Sequence, residues 1–204
     1  MTATLTDPRP GCKPFGILDG VPSDELRDRI VREAGRLFYR EGVGATGVNR
    51  VASELGVSKR TLYELFDTKS ELYAGALDAF DARAFTGPAE ARSDDPEEQL
   101  LGLFAVLATW MADPGFRGCP YLNAAHELAD PDDPARAVAA RRKAELRTWI
   151  ERRARAAGLR RPRALAEQLA IVVDGALAHA TVATVDRDTP GRIARTLIEA
   201  ARPA

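Results

Sequence analysis

Few side chains in this 204-residue sequence are equipped for covalent or metal chemistry. The only histidines are His126 and His179, and the only cysteines are Cys12 and Cys119. His126-Glu127 opens like the zinc-protease helix H-E-x-x-H, but Asp130 stands where the second histidine is required. Two histidines cannot supply a three-His site either, so no metal and no cofactor is expected. Cys119 and His126 lie seven residues apart, which one helical face can hold, yet nothing nearby offers an oxyanion hole to a Cys–His nucleophile. Asp174 and His179 are five apart and off one another's face. With no phosphate loop and no dinucleotide fingerprint, an enzyme is not expected.

Residues 48–67, VNRVASELGVSKRTLYELFD, point to a different chemistry. Val48, Val51, Ala52 and Leu55 share one face of a short helix. Gly56 interrupts it, and Val57, Leu62, Leu65 and Phe66 resume the apolar pattern. Two short helices crossing steeply need a small residue where they touch and a glycine that tolerates positive φ in the turn. Ala52 and Gly56 fill those two places. The free face of the second helix then carries Ser58, Lys59, Arg60, Thr61 and Tyr63, which are hydroxyls and cations suited to phosphate oxygens and base edges. The spacing predicts a helix-turn-helix that binds DNA.

The elements that must hold this motif are helical. The chain has 36 Ala and 25 Arg, both strong helix formers, and no strand alternation or internal repeat. The expected fold class is all-α. Residues 1–22, with Pro8, Pro10, Pro14 and Pro22, read as a flexible N-terminal arm. Ser23 offers an N-cap to a helix through Leu26, Ile30, Ala34, Leu37 and Phe38, which Gly42 and Gly44 stop. Ser58 caps the second motif helix, and Thr68 or Asp67 caps another that runs through Leu72 and Phe80 to Gly87-Pro88. Residues 23–86 thus form an N-terminal three-helix helix-turn-helix domain with this following helix. Residues 87–96, GPAEARSDDP, read as a polar linker into a larger helical domain, 87–204. Its helices are expected from Pro96 to Trp110, over 118–128, from Pro134 to about Gly158, from Pro162 to about Asp186, and from Pro190 on, with arginines along solvated faces.

The run 37–72, LFYREGVGATGVNRVASELGVSKRTLYELFDTKSEL, resembles the DNA-binding domain of the TetR family of bacterial transcriptional regulators. The resemblance rests on Leu37-Phe38, Gly42, Ala45-Thr46, Val51-Ala52, Leu55-Gly56-Val57-Ser58, Thr61-Leu62-Tyr63, Phe66 and Lys69 before Glu71-Leu72. It implies that Thr46 contacts phosphate, that Lys59, Arg60 and Thr61 face the major groove, that Tyr63 braces a phosphate and that Lys69 meets the backbone. Gly47 departs from the family, which often has a hydroxyl there, and so does Glu64, where an aromatic is common.

The same resemblance implies a second domain that binds a small-molecule effector and dimerises. Close-packing residues Ala166, Ala170, Gly175, Ala176 and Ala178 suit a homodimer through the helices at about 162–186 and 190–202, the latter carrying Ile193, Leu197 and Ile198. Trp110, Cys119, Tyr121, Asn123, His126 and Trp149 are the candidates for a ligand pocket, being aromatic or polarisable with a few polar anchors. Gly118-Cys119-Pro120-Tyr121-Leu122-Asn123 resembles a Gly-Cys-apolar-Asn segment of some TetR-type effector domains. The expected function is a ligand-responsive, sequence-specific repressor that leaves its double-stranded operator when an effector binds. Its rival is a redox-sensing DNA-binding regulator using Cys119, which has the cationic Arg117 two residues away. A helical adaptor without DNA contact is a third reading.

Charge and cysteine usage narrow the field. With 29 basic and 30 acidic residues the net charge is −1, which excludes a basic coat of the histone kind. Residues 24–70 hold nine Lys/Arg against eight Asp/Glu, so the footprint on DNA must be local and doubled by a twofold mate. No stretch reaches about 18 apolar residues, the amino-terminal residues lack the apolar centre of a signal peptide, and two cysteines make no disulfide framework. A cytoplasmic protein that does not enter the membrane is expected.

Overall fold

The computed structural model describes residues 23–80, 83–184 and 186–203. The arm expected over residues 1–22 and the cap expected from the Ser23 side chain lie outside the described residues. Those residues form ten α-helices and no strand.

Helix α1 (Ser23–Glu41) begins with acidic Asp24 and Glu25, which suit the positive end of its dipole, and buries Ile30, Val31, Ala34, Leu37 and Phe38 along one face. Helices α2 (Val48–Leu55) and α3 (Lys59–Leu65) follow. Helix α4 (Lys69–Asp78) is capped by Thr68, whose hydroxyl accepts from the Glu71 amide at 3.0 Å, while the Glu71 carboxylate reaches back to the Asp67 amide at 2.8 Å. This is a near relative of the capping box. Helix α4 ends at Asp78, short of the expected Gly87-Pro88.

The polar stretch after residue 86 is not a linker but helix α5 (Thr86–Arg92). Pro88 sits in its first turn, where no amide hydrogen is needed, and Ala89 is fully buried against Gly102 of α6 (Pro96–Trp110). Helices α7 (Pro120–Glu127), α8 (Pro134–Ala156) and α9 (Pro162–His179) also open on proline, whose fixed φ suits the first turn. Asp95 and Asp133 cap α6 and α8 with their carboxylates. Helix α9 stops at His179 rather than near residue 186, and α10 (Thr189–Ala200) closes the chain.

Two apolar cores result. One joins α1–α4 with Ala124 of α7 and Ala135 and Val138 of α8. The other gathers α6, α8, α9 and α10 around Leu103, Leu107, Trp149, Ile150, Leu169 and Leu177, with Cys119, Tyr121 and Leu122 from the start of α7 packed in. Helices α7 and α8 therefore serve both. Not every arginine of α8 is solvated as expected, because Arg142 and Arg153 turn inward to carboxylates on other helices.

Candidate functional site

The turn between α2 and α3 is made by Gly56 at φ 64° and ψ 31°. A β-carbon there would meet nothing within 4 Å, so it is backbone conformation and not space that calls for glycine. Val51, Ala52 and Leu62 are buried at the crossing of the two helices. Gly47, in place of a hydroxyl residue, caps α2 with no side-chain bond, and the helix still starts at Val48.

With its apolar side locked, α3 turns Lys59, Arg60, Tyr63 and Glu64 to solvent. The Lys59 ammonium lies 5.7 Å from the centre of the Tyr63 ring, and Arg60 Nε donates to Glu64 Oε1 at 2.7 Å. Glu64 thus has a cation partner one turn back. Ser58 and Thr61 spend their hydroxyls locally: Ser58 Oγ accepts from the Thr61 amide at 2.9 Å, and the two hydroxyl oxygens lie 2.8 Å apart.

Two expected phosphate contacts stand differently. Thr46 is fully buried, and its hydroxyl donates to the Gly42 carbonyl at 2.6 Å, which fixes the loop leading into α2. Lys69 is half-buried at the start of α4 and donates to the Val43 carbonyl. Arg50, not singled out in the sequence, is exposed on α2 and bonds to Glu54 at 2.6 Å and Glu41 at 3.1 Å. Its hydrogen bonds hold both carboxyls below the ordinary range, Glu41 being held first by Arg40. Much of the small basic surplus of this region is therefore already paired.

In the second half, a cavity of about 450 Å³ opens between α5, α6, α7, α8 and α9. Leu103, Leu107, Val173 and Leu177 form its buried apolar wall, and Cys119, Tyr121 and Trp149 also line it. Three of the six expected pocket residues are thus brought together. The other three are placed elsewhere. Trp110 packs between Phe85 and Phe116 beside a separate depression of about 500 Å³. Asn123 Nδ2 donates to the Arg117 carbonyl at 2.8 Å, closing the turn at Gly118. His126 is exposed on α7. Gly118 sits at φ +81°, where a β-carbon would come within 2.9 Å of the Thr181 methyl, so the 118–123 segment is in the first place a tight turn. Cys119 is buried at this turn, not the exposed thiol that a redox switch requires.

The cavity also takes in residues that sequence reasoning missed. Glu90 of α5 accepts from Trp149 Nε1 at 2.7 Å and from Arg153 and Arg83 at 2.5 Å each. The indole hydrogen bond above all, then the two guanidinium groups, pull its carboxyl down to about 2 against the opposing effect of burial. Burial pushes the Tyr121 phenol up to about 12. The Lys143 ammonium bonds to Asp174 and lies against Cys119, and these neighbours together outweigh the burial that would lower its pKa.

Helix α7 connects cavity and motif. Its first turn bears Cys119 and Tyr121, and its last residue, Glu127, accepts the Gly44 amide at 3.1 Å beside α2. Two further ties cross the same boundary: Ser70 donates to Asp133 at 2.6 Å, and Tyr39 donates to the Gly118 carbonyl at 3.0 Å while accepting the Arg117 amide.

An all-helical chain with a tight helix-turn-helix and an exposed, basic second helix defines a DNA-binding regulator of the helix-turn-helix class. Comparison with known proteins sharpens this. The family model described as bacterial regulatory proteins, tetR family, matches residues 30–76, and that described as tetracyclin repressor-like, C-terminal domain, matches residues 96–198. A TetR transcriptional regulator from Streptomyces avermitilis superposes with a TM-score of 0.77 at 37% identity, over 86% of this chain and 97% of that one. A TetR-family regulator from Streptomyces coelicolor gives 0.74 at 27% identity, over 87% and 94%. Among curated proteins, the transcriptional activator FasR of Mycolicibacterium smegmatis is 39% identical over 57 residues, 28% of this chain and 26% of that protein. A match of that kind spans about a quarter of each such relative and no more. The chain belongs to the TetR family of transcriptional regulators, whose matched members are regulators of transcription and not enzymes. Among the described residues no helix is long and apolar enough to cross a membrane.

Proposed function

We propose that this regulator is a cytoplasmic homodimeric repressor that a small-molecule effector releases from its operator. The observation that carries the reading is the position of α7, with the cavity at its first turn and the Gly44 amide at its last residue. Lys59 and Arg60 read base edges in the major groove, Ser58 and Thr61 shape and flank that surface, and Tyr63 and Lys69 meet phosphates. Thr46 acts from beneath, by setting the loop before α2. An effector held against Cys119, Tyr121 and Trp149 shifts α7 and with it the two reading heads, whose spacing on one face of the duplex is about 34 Å or a multiple of it. A coupling of ~1–3 kcal/mol changes operator affinity roughly 5–150-fold.

The partner surface runs along α9 and α10. Ile171, Gly175, Ala178 and Val182 recur at helical spacing on the outward side of α9 and just beyond it, with Ile171 71% and Val182 80% exposed. Ile193 of α10 is exposed as well. The small residues split between two jobs: Ala166 and Ala176 are buried inside the protomer, whereas Gly175 has no neighbour within 4 Å of a β-carbon and suits close approach of a second helix. The test is genome-wide selection of DNA fragments by the purified protein, followed by release of the recovered fragment with small molecules made by products of neighbouring genes. Recovery of random fragments only would sink operator recognition. A recovered palindrome that nothing releases would sink the effector-released repressor.

A further inference from the structure

The cavity is not evenly charged along its length. Four of its lining residues on α8, Arg142, Leu146, Trp149 and Arg153, recur at i, i+4, i+7 and i+11, which is one face of the helix. The two arginines are thus about 16 Å apart along the helix axis, one at each end of an elongated site. At one end Arg83, Arg152 and Arg153 line the cavity with Glu90, the one carboxylate among the described lining residues there. At the other, Arg142 and Lys143 stand with three carboxylates, Asp78, Glu145 and Asp174, bonded to them. Among the described residues, and counted with the carboxylates bonded to them, three cations stand with one anion at the first end and two cations with three anions at the second, where Glu145 lines the cavity and Asp78 and Asp174 do not.

Each end also keeps a buried donor without a use inside the protein. The Nε atoms of Arg153 and Arg142 are both buried, and neither has a hydrogen-bond partner among the described residues. Arg153 is held in place by Glu90 and lies over the Trp149 ring at 5.4 Å, and these two contacts orient the guanidinium that carries the buried Nε donor. At the opposite end the protonated Tyr121 phenol stands near the Arg142 guanidinium. Between the ends the wall is Leu103, Leu107, Val173 and Leu177. Buried polar groups in proteins are nearly always satisfied, and a guanidinium satisfies itself best on an oxyanion.

We infer that the effector of this cavity is an elongated amphipathic organic acid, with its carboxylate at the Arg83–Arg152–Arg153 end and its apolar body along α6 and α9. Any second oxygen on it is neutral and accepts from Arg142 Nε and Tyr121 at the far end. The assignment rests on the reading of the cavity as the effector site and adds the charge and polarity of what enters it.

The test uses the full-length protein and three probes of one chain length, decanoate, decanol and decylammonium, below their micellar concentrations. Binding is read from the change in intrinsic tryptophan fluorescence, in which Trp149 lines the cavity and Trp110 does not, and from the shift in melting temperature. Decanoate is expected to bind at least about tenfold more tightly than either of the others, as a charge-assisted contact against none. Arg152→Gln, at an exposed position, and Arg153→Gln are each expected to weaken decanoate by about five- to tenfold and leave decanol unmoved. Decanol or decylammonium binding as tightly as decanoate overturns the acid while leaving the cavity as an effector site. Equal losses for decanoate and decanol in both variants overturn the placement of the carboxylate. If no probe of any charge binds or moves the melting temperature, the effector site itself fails and the inference with it.

Discussion

Arg60 and Glu64 face one another across one turn of α3, guanidinium Nε to carboxylate oxygen at 2.7 Å, with both side chains largely in solvent. An exposed pair of this kind holds weakly and gives way to a stronger anion. On the proposed reading, the approach of a duplex trades Glu64 for a guanine edge or a phosphate, and Glu64 tempers the affinity of the free head.

Glu64→Gln should strengthen binding to random DNA by roughly two- to tenfold at low salt, since it frees Arg60 and removes a negative charge from the face. Arg60→Ala should cost ~1–3 kcal/mol on the operator and relax specificity at one base position. Anisotropy titrations on operator and scrambled duplexes separate the two. Equal losses on both duplexes for Arg60→Ala would place Arg60 on the backbone instead.

Lys69 carries a structural bond to the Val43 carbonyl, so its effect on DNA has to be told apart from an effect on fold. Lys69→Met should lower affinity for all sequences and reduce the slope of log affinity against log salt by about one per protomer. Tyr63→Phe should weaken binding without changing that slope, because a hydroxyl releases no counterion. A slope unaltered in Lys69→Met leaves the lysine with its tether alone.

Ile171→Glu puts a charge in the middle of the proposed partner surface at a site 71% exposed in the protomer, so the fold should survive it. Sedimentation should show a dimer becoming a monomer, and operator binding should fall to the level of one head. A variant that remains dimeric moves the interface off α9.

Glu90 gives a pH signature. The Trp149 indole first, then the Arg153 and Arg83 guanidinium groups, hold its carboxyl at about 2, below the ordinary glutamate value of 4.5. A depressed carboxyl contributes stability that is complete above the unfolded value and is lost as pH falls through the folded one. Melting temperatures of Glu90→Gln should therefore lie below those of the native protein at pH 7, and the gap should close as pH falls from about 5 towards 2. A gap constant across that window would show that the indole and guanidinium groups do not hold the charge.

The motif was legible because its determinants are local. The Ala52–Gly56 spacing, the Ser58 and Thr68 caps and the apolar face of α1 all act within a turn or two of themselves. What sequence spacing misjudged was decided by distant partners. Residues 86–92 look like linker until Ala89 is seen against Gly102. Thr46 is a different case: its partner, the Gly42 carbonyl, is only four residues away, but the burial that turns its hydroxyl inward is a property of the folded loop. The cavity draws on five helices, so composition alone could not divide Trp149, which lines it, from Trp110, which does not. Arg142 and Arg153 were hidden among the many arginines of α8, since Asp78 and Glu90, more than 60 residues away, select which of them turn in. The i, i+4, i+7, i+11 run with Leu146 and Trp149 was the available signal for that face.

The first core borrows Ala124, Ala135 and Val138 from helices beyond residue 86. A severed DNA-reading head would keep its motif but expose the apolar surface that these three residues cover. The two regions that separate family models recognise should therefore melt as one cooperative unit, and grafting this head onto another effector domain would have to carry α7 and the start of α8 along with it.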